Sequence, residues 1–131
     1  MKIAIDTDVL IYLVKNKLLE RFLEKYDGCI TAITEYEYMR GEVKAGVKPR
    51  ISKQTLSEAF EILELDNKSI TIASKIWSSL SKEGEIIDER DLLIGAICIA
   101  HNVPLWTFNK KHFEKLKKFK LVLKDIDLQE L

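Results

Sequence analysis

Three acidic residues and one amide lie where strands or helices meet apolar segments, and these side chains are the ones most able to do chemistry. Asp6, Glu37, Asp91 and Asn109 are spread along the chain. Carboxylates brought together repel one another, which raises their pKa values unless a cation neutralises them. Carboxylate and amide oxygens are ligands that Mg²⁺ and Mn²⁺ accept. Such a metal site can acidify a bound water and stabilise the leaving oxygen of an in-line displacement.

The elements that must position these residues alternate between strands and helices. β-rich runs predict strands over residues 2–5, 29–31, 62–65, 105–107 and 121–123. Apolar residues at helical spacing predict helices over 9–16, 18–26, 33–45, 56–60, 70–80, 91–100 and 112–116. Thr31 or Thr34 can cap the third helix, and Asp66 can cap the fifth. Asp8 is predicted to be a local helix cap. Residues 47–52 are predicted to form a turn.

This alternation predicts an α/β fold in one domain over residues 1–131, with a central parallel sheet of about five strands and helices on both faces. Ligands of such sheets bind outside the carboxyl ends of the strands, near the point where the strand order reverses. Asp6 follows the first strand and Asn109 follows the fourth. Glu37 and Asp91 lie on helices that can present them at the same edge.

Three sequence blocks resemble the PIN-domain nucleases, and most closely their VapC-type toxins. The blocks are IAIDTDVLIYL, ITEYEYMRG and DLLIGAICIAHNVPLWTFN. The resemblance implies a three-layer PIN-like fold over the whole chain, and it implies that the first metal-binding acid is Asp6. In the second block the family's acid precedes a glycine by four residues, which selects Glu37 before Gly41 rather than Glu35.

The third block selects Asp91, with Gly95 where the family usually has alanine, and the fourth block departs from the family. Relatives commonly carry a fourth acid there, whereas TFNKKHF offers Asn109 and His112. An Asn carbonyl can ligate a hard cation or position a water, and a His favours Mn²⁺ over Mg²⁺. Asp88, one turn before Asp91, is either a further metal ligand or the N-cap of its helix.

The resemblance implies an Mg²⁺- or Mn²⁺-dependent endoribonuclease, the toxin of a toxin–antitoxin pair. It also implies a small antitoxin whose C-terminal segment covers the acidic groove and inserts an arginine, and a homodimer. Leu13, Leu18 and Tyr38 are candidate apolar contacts of that homodimer. The departure in the fourth block keeps a second hypothesis open, a catalytically inactive module that binds RNA or protein.

Charge is balanced overall but not locally. The chain has 21 basic and 21 acidic residues, and residues 110–124 contain seven Lys against Glu114 alone. Such a stretch either contacts RNA phosphates or is a solvated surface. Candidate phosphate contacts are Arg40, Lys44, Lys110 and Lys111, with Lys115, Lys117 and Lys118 beside them.

Cys29 and Cys98 fall inside apolar runs without metal-ligand spacing, which predicts buried reduced thiols. No signal peptide or membrane-spanning run is recognisable, so a cytoplasmic protein is expected.

Two other protein classes match part of the pattern. Asp6 and Asp8 after an apolar strand are typical of aspartyl-nucleophile phosphatases. A phosphoacceptor receiver domain would in addition use Asp66 and Lys110. Neither class uses the acids of the second and third blocks.

Overall fold

Four short parallel strands form the central sheet of the protein. The structure is a computed structural model, and it describes residues 1–131. The strands are β1 (Lys2–Ile5), β2 (Asp27–Thr31), β3 (Glu61–Leu63) and β4 (Leu105–Trp106). They lie side by side in the order β3-β2-β1-β4. Ala4 of β1 is paired with Cys29 on one side and with Leu105 on the other. The predicted α/β class and the parallel sheet are confirmed.

Seven helices connect and flank the strands. They are α1 (Thr7–Lys15), α2 (Leu19–Lys25), α3 (Ala32–Lys44), α4 (Pro49–Ala59), α5 (Asn67–Lys82), α6 (Glu89–Ala100) and α7 (Lys110–Phe113). The predicted turn at residues 47–52 is wrong from Pro49 onwards, because α4 begins there. Proline suits the first position of a helix, since its φ is already helical and its missing N–H would have no partner there.

The predicted fifth strand at residues 121–123 is also wrong. Leu123 forms only an isolated bridge with Leu105. Two hydrogen bonds hold it: the Leu105 N–H donates to the Val122 carbonyl at 2.9 Å and the Lys124 N–H donates to the Leu105 carbonyl at 2.8 Å. Because β4 has only two residues, it offers no further backbone groups for pairing, and the ladder ends there. The predicted helix at 112–116 is divided between α7 and a 3₁₀ helix (Glu114–Phe119).

Apolar side chains cover both faces of the sheet, which confirms the predicted three layers. On one face, strand residues pack with α5 and α6: Ala4, Cys29, Leu63 and Leu105. On the opposite face, strand residues pack with α1 and α2: Ile3, Ile5, Ile30 and Trp106. Alternate residues of a strand point to opposite faces, so burial on both sides requires the nearly continuous apolar runs seen in the sequence.

Two buried positions bear on the sequence predictions. Cys29 and Cys98 are buried and unpaired, as expected. Burial raises the pKa of the Cys29 thiol to about 12 and also raises that of Cys98, so both thiols are protonated at neutral pH. Leu13, expected at a partner contact, is fully buried in the core, so that prediction is wrong.

The strand order reverses beside β1. The chain passes from β1 to β2 and β3 on one side of the sheet, and β4 then pairs on the other side of β1. The carboxyl ends of β1 and β4 therefore flank the switch point, where open α/β sheets bind ligands. No helix combines the length and apolar character that crossing a membrane requires.

Candidate functional site

Asp6 lies at the carboxyl end of β1 and begins the site. Its side chain is fully buried and caps α1, accepting a hydrogen bond from the Thr7 N–H at 2.8 Å through Oδ1. Its other oxygen, Oδ2, accepts from the hydroxyl of Thr107 at 2.8 Å. Thr107 directly follows β4, so the hydroxyl of one strand end fixes the carboxylate of its neighbour.

Glu37 reaches the same edge from the middle of α3. Thr31 caps this helix, accepting from the Thr34 N–H at 3.2 Å. The Thr7 hydroxyl donates to Glu37 Oε1 at 2.6 Å and lies 3.1 Å from the Thr34 hydroxyl. Glu35, which the motif spacing left out, instead forms an ion pair with Lys53 at 2.6 Å, away from this cluster.

Asp91 enters from the first turn of α6. Asp88 is the N-cap of that helix, accepting from the Arg90 N–H at 2.8 Å, so the capping alternative is confirmed. Burial raises the pKa of the Asp91 carboxyl; Arg90 opposes this shift, while Asp88 and Asp6 add to it. Its Oδ2 lies 3.5 Å from Nδ1 of His112, a mostly exposed side chain.

The guanidinium of Arg90 lies between the three carboxylates and donates to each of them. Its Nη2 is 2.9 Å from Asp6 Oδ1. Its Nε is 2.5 Å from Glu37 Oε2, and its Nη1 is 2.6 Å from Asp91 Oδ1. Burial disfavours the charged guanidinium, but the hydrogen bond to Glu37 and the three negative charges outweigh it, so the pKa of Arg90 is raised. With the guanidinium between them, the acids are not assembled as a ready group of metal ligands.

The sequence motifs do not single out Arg90. Its contact with Asp6 joins residues 84 positions apart, which no local pattern encodes. The one available signal was a basic residue directly before the acid that opens a helix.

Asn109 lies near this cluster but does not join it. Its side chain is exposed and makes no capping hydrogen bond, while its backbone N–H donates to the Thr107 hydroxyl at 3.0 Å. The structure therefore brings together three of the four residues singled out by sequence and leaves the amide at the rim.

Asp8 adds a further carboxyl beside the centre. It is not the helix cap, a role that belongs to Asp6, and it accepts from the Val9 N–H at 2.7 Å. Burial and the neighbouring charge of Asp6 raise the pKa of Asp8 to about 6, although the Val9 and Phe108 N–H groups and Arg90 favour its ionised form. The site thus contains one carboxyl group more than the three motif acids supply.

Comparison with known families identifies this arrangement. The profile of the PIN domain family matches residues 3–119. The chain belongs to the PIN domain family.

Within that family, this PIN domain groups with the VapC proteins, as the motif resemblance predicted. Ribonuclease VapC1 of Methanocaldococcus jannaschii is 42% identical over 127 residues, which cover 95% of this chain and 88% of that protein. A solved structure of VapBC-1 from nontypeable Haemophilus influenzae is similar with a TM-score of 0.77 at 25% identity, covering 95% of this chain and 98% of that one. VapBC-5 from Mycobacterium tuberculosis, a member of the VapBC family of toxin–antitoxin systems, shares the fold with a TM-score of 0.64 at 20% identity, covering 94% of this chain and 98% of that one.

The predicted basic rim of the PIN domain is largely neutralised by ion pairs. Lys110 pairs with Asp125. Three other lysines pair with glutamates: Lys115 with Glu85, Lys117 with Glu114 and Lys118 with Glu83. In the same stretch Lys111 forms no ion pair, and it lines a groove of about 520 Å³ together with Asp88, Asp91 and His112.

The two basic residues predicted on α3 are placed differently. The guanidinium of Arg40 lies 5.2 Å from the ring centroid of exposed Tyr36, and Lys44 is exposed in the last turn of the helix.

The acids and the lysine that a receiver domain would use do not come together in the structure. Asp66 caps α5 and binds Ser69, and neither Asp66 nor Lys110 contacts Asp6.

Proposed function

We propose that this PIN domain, a single domain over the whole chain, is an Mg²⁺- or Mn²⁺-dependent endoribonuclease and the toxin of a toxin–antitoxin pair. The observation that carries the proposal is the convergence of Asp6, Glu37 and Asp91 from three elements onto one cation, the guanidinium of Arg90. The name of the 42% identical relative, a ribonuclease, supports the reaction class.

The donor set suits a hard divalent cation. Three carboxylates from the ends of β1, the middle of α3 and the start of α6 offer only oxygen ligands, which Mg²⁺ and Mn²⁺ accept. The nearest imidazole, that of His112, adds a nitrogen at the rim that suits Mn²⁺. PIN-domain VapC nucleases are in general dependent on divalent metals.

We assign Asp6, Glu37 and Asp91 as metal ligands. Bound Mg²⁺ or Mn²⁺ would supply Lewis-acid chemistry, neutralising phosphate charge and increasing the acidity of water. Thr107 and Thr7 hold Asp6 and Glu37 in place.

Asn109 and Asp88 act at the edge of the centre in this proposal. The exposed amide of Asn109 positions the attacking water or serves as an outer ligand. Asp88 lines the groove beside Asp91 and assists there as a further ligand, in addition to capping α6.

RNA reaches the acids along the groove beside Asp91 in this proposal. Lys111 and His112 line that groove, and Lys111 has its charge free for a phosphate. Arg40, Lys44 and Lys110 extend the contact, with Lys110 released from Asp125 when a phosphate competes. These contacts give affinity for the backbone and carry no sequence information by themselves.

The antitoxin and a second copy of the chain are the proposed protein partners. The VapBC structures that share this fold support an antitoxin partner. An arginine inserted by an antitoxin would meet a position that Arg90 already holds, so it would have to displace Arg90 or bind at the rim. Leu18 and Tyr38 are half-buried and remain available for partner contacts.

A second candidate function is a catalytically inactive module that binds RNA or protein. The same guanidinium favours it, because Arg90 fills the centre and Asn109 stands where the family commonly has an acid.

Cleavage of a mixed structured RNA separates the two candidates. We expect purified protein to cleave the RNA with Mn²⁺ or Mg²⁺. We expect no cleavage when a chelator is added or when the Asp91→Asn variant replaces the wild type. Glu89→Gln is the matched control, because Glu89 is an exposed acid in the same helical turn. Silence of the folded, partner-free wild type in every metal would reject the nuclease and favour the binding module.

A further inference from the structure

Arg90 does more than lie close to the acids, because it uses the oxygens that a metal would need. Asp6 Oδ2 and Glu37 Oε1 are bonded to the hydroxyls of Thr107 and Thr7. The other oxygen of each, Asp6 Oδ1 and Glu37 Oε2, faces the centre and accepts from Arg90. Asp91 Oδ1 is likewise taken by the guanidinium.

We propose that Arg90 is the internal counter-cation of this centre and competes directly with the divalent metal for Asp6, Glu37 and Asp91. Metal binding then requires the guanidinium to leave, and Arg90 sets the metal affinity of the protein. This inference rests on the metal centre of the proposed function and adds a residue that limits its loading.

Charge and geometry both favour exchange over co-occupancy. Arginine is permanently charged, so it cannot make room by losing a proton. A divalent ion among the same three oxygens would lie a few ångströms from the guanidinium, where the two cations repel each other strongly because the surrounding acids are nearly covered.

The side chain has a route out of the centre. Arg90 belongs to the first turn of α6, and its side chain is 31% exposed, whereas those of the acids are nearly covered. It can therefore rotate towards solvent without unfolding the helix, while Asp6 at a strand end has no such freedom.

Competition also explains how the metal-free protein tolerates three close carboxylates. The guanidinium supplies one positive charge and a hydrogen bond to each acid, which offsets their repulsion. Removing Arg90 should therefore weaken the metal-free fold and strengthen metal binding, whereas a purely structural Arg90 would weaken both.

Calorimetric titration of Mn²⁺ into chelator-stripped protein tests the proposal without using activity. Relative to wild type, we expect Arg90→Gln to bind Mn²⁺ at least about tenfold more tightly, because a unit charge has left the site. Arg90→Lys should fall between the two, since one ammonium group cannot bond all three acids at once. Arg50→Gln is the matched control, an exposed arginine with no ion pair, and should bind as wild type does.

Thermal melts provide the second readout. Metal-free Arg90→Gln should melt below wild type, and Mn²⁺ should raise its Tm by more than it raises that of wild type. If Arg90→Gln does not fold without metal, the Arg90→Lys comparison carries the test.

The outcomes separate the two proposals. Equal or weaker Mn²⁺ binding by both Arg90 variants, with clear binding by wild type, would overturn the competition and leave the metal-dependent nuclease standing. No Mn²⁺ binding by any variant would overturn both.

Discussion

At the scale of single residues, the three acids of the site repel one another, and a side chain of the protein itself offsets that repulsion. Three carboxylates meet at one sheet edge, those of Asp6 and Asp91 buried and that of Glu37 nearly so, and Arg90 gives each of them a hydrogen bond. Asp8, half-buried beside Asp6, has no such partner. Burial, followed by the nearby charge of Asp6, raises its pKa to about 6.

Asp8→Asn should stabilise the metal-free protein in a pH-dependent way. Because the pKa of Asp8 is raised to about 6 from 3.8, its ionised form destabilises the native state above pH 6 and its neutral form does not. The substitution should gain on the order of 1 kcal/mol at pH 8 after allowance for screening. This gain in unfolding free energy should decrease as pH falls from 6 towards 4. Urea unfolding of both proteins at several pH values would measure it.

The control for this experiment is Asp27→Asn, an exposed acid at the start of β2 with no side-chain hydrogen bond. Its unfolding free energy should follow that of wild type at every pH. A gain for Asp8→Asn that is the same at pH 4 and pH 8 would contradict the assigned shift.

At the scale of elements, strand ends and helix starts share the work of holding the acids. Asp6 ends β1 and caps α1, Thr31 ends β2 and caps α3, and Asp88 caps α6 just before Asp91. Helix N-termini favour negative charge, so two of the acids lie where the backbone itself stabilises them. Thr107, just past β4, joins the last strand to this arrangement through Asp6.

Thr107→Val should test this link between strands. The change keeps the shape of the side chain but leaves buried Asp6 Oδ2 without its donor, which should cost about 1–3 kcal/mol of unfolding free energy. RNA cleavage should fall as well, because the carboxylate loses its fixed orientation.

Thr107→Ser retains the hydroxyl and should recover both stability and cleavage. Thr55→Val is the control, since the Thr55 hydroxyl is exposed and bonds only the Ile51 carbonyl within its own helix. Equal losses for Thr55→Val and Thr107→Val would remove the reason to assign Thr107 a positioning role.

At the scale of the whole molecule, close packing of the layers fixes where α6 and its acid lie. Gly95, in the middle of α6, lies against the 3₁₀ helix (Glu114–Phe119). A Cβ added at Gly95 would come within 2.3 Å of Leu116 Cδ1, and Leu116 is fully buried. The lack of a side chain at Gly95 therefore permits this close approach.

Gly95→Ala should destabilise the protein by about 1–3 kcal/mol, because overpacking outweighs the better helix propensity of alanine. Chemical denaturation would measure it. Gly41→Ala is the matched control, since its Cβ would meet nothing within 4 Å in α3, and it should stabilise by about 0.5–1 kcal/mol. A gain at Gly95 equal to that at Gly41 would show that Leu116 moves aside freely.

Local patterns in the sequence determined most of the fold. Alternating β-rich runs and helical spacing predicted the four strands, and the capping residues Thr31 and Asp66 lie where expected. The strand-end acid and the motif spacing also selected Asp6, Glu37 and Asp91, which do meet in space. These features are set by neighbouring residues along one chain segment, and periodicity reports which face of that segment is buried.

Only the tertiary structure decided what the site holds. It placed Arg90 among the acids, left Asn109 exposed, paired Lys118 with Glu83 from 35 residues away and reduced the fifth strand to one bridge. Each of these outcomes depends on which segments lie side by side after packing. A side chain's partner across the sheet edge is set by long-range distances, and sequence spacing carries no measure of them.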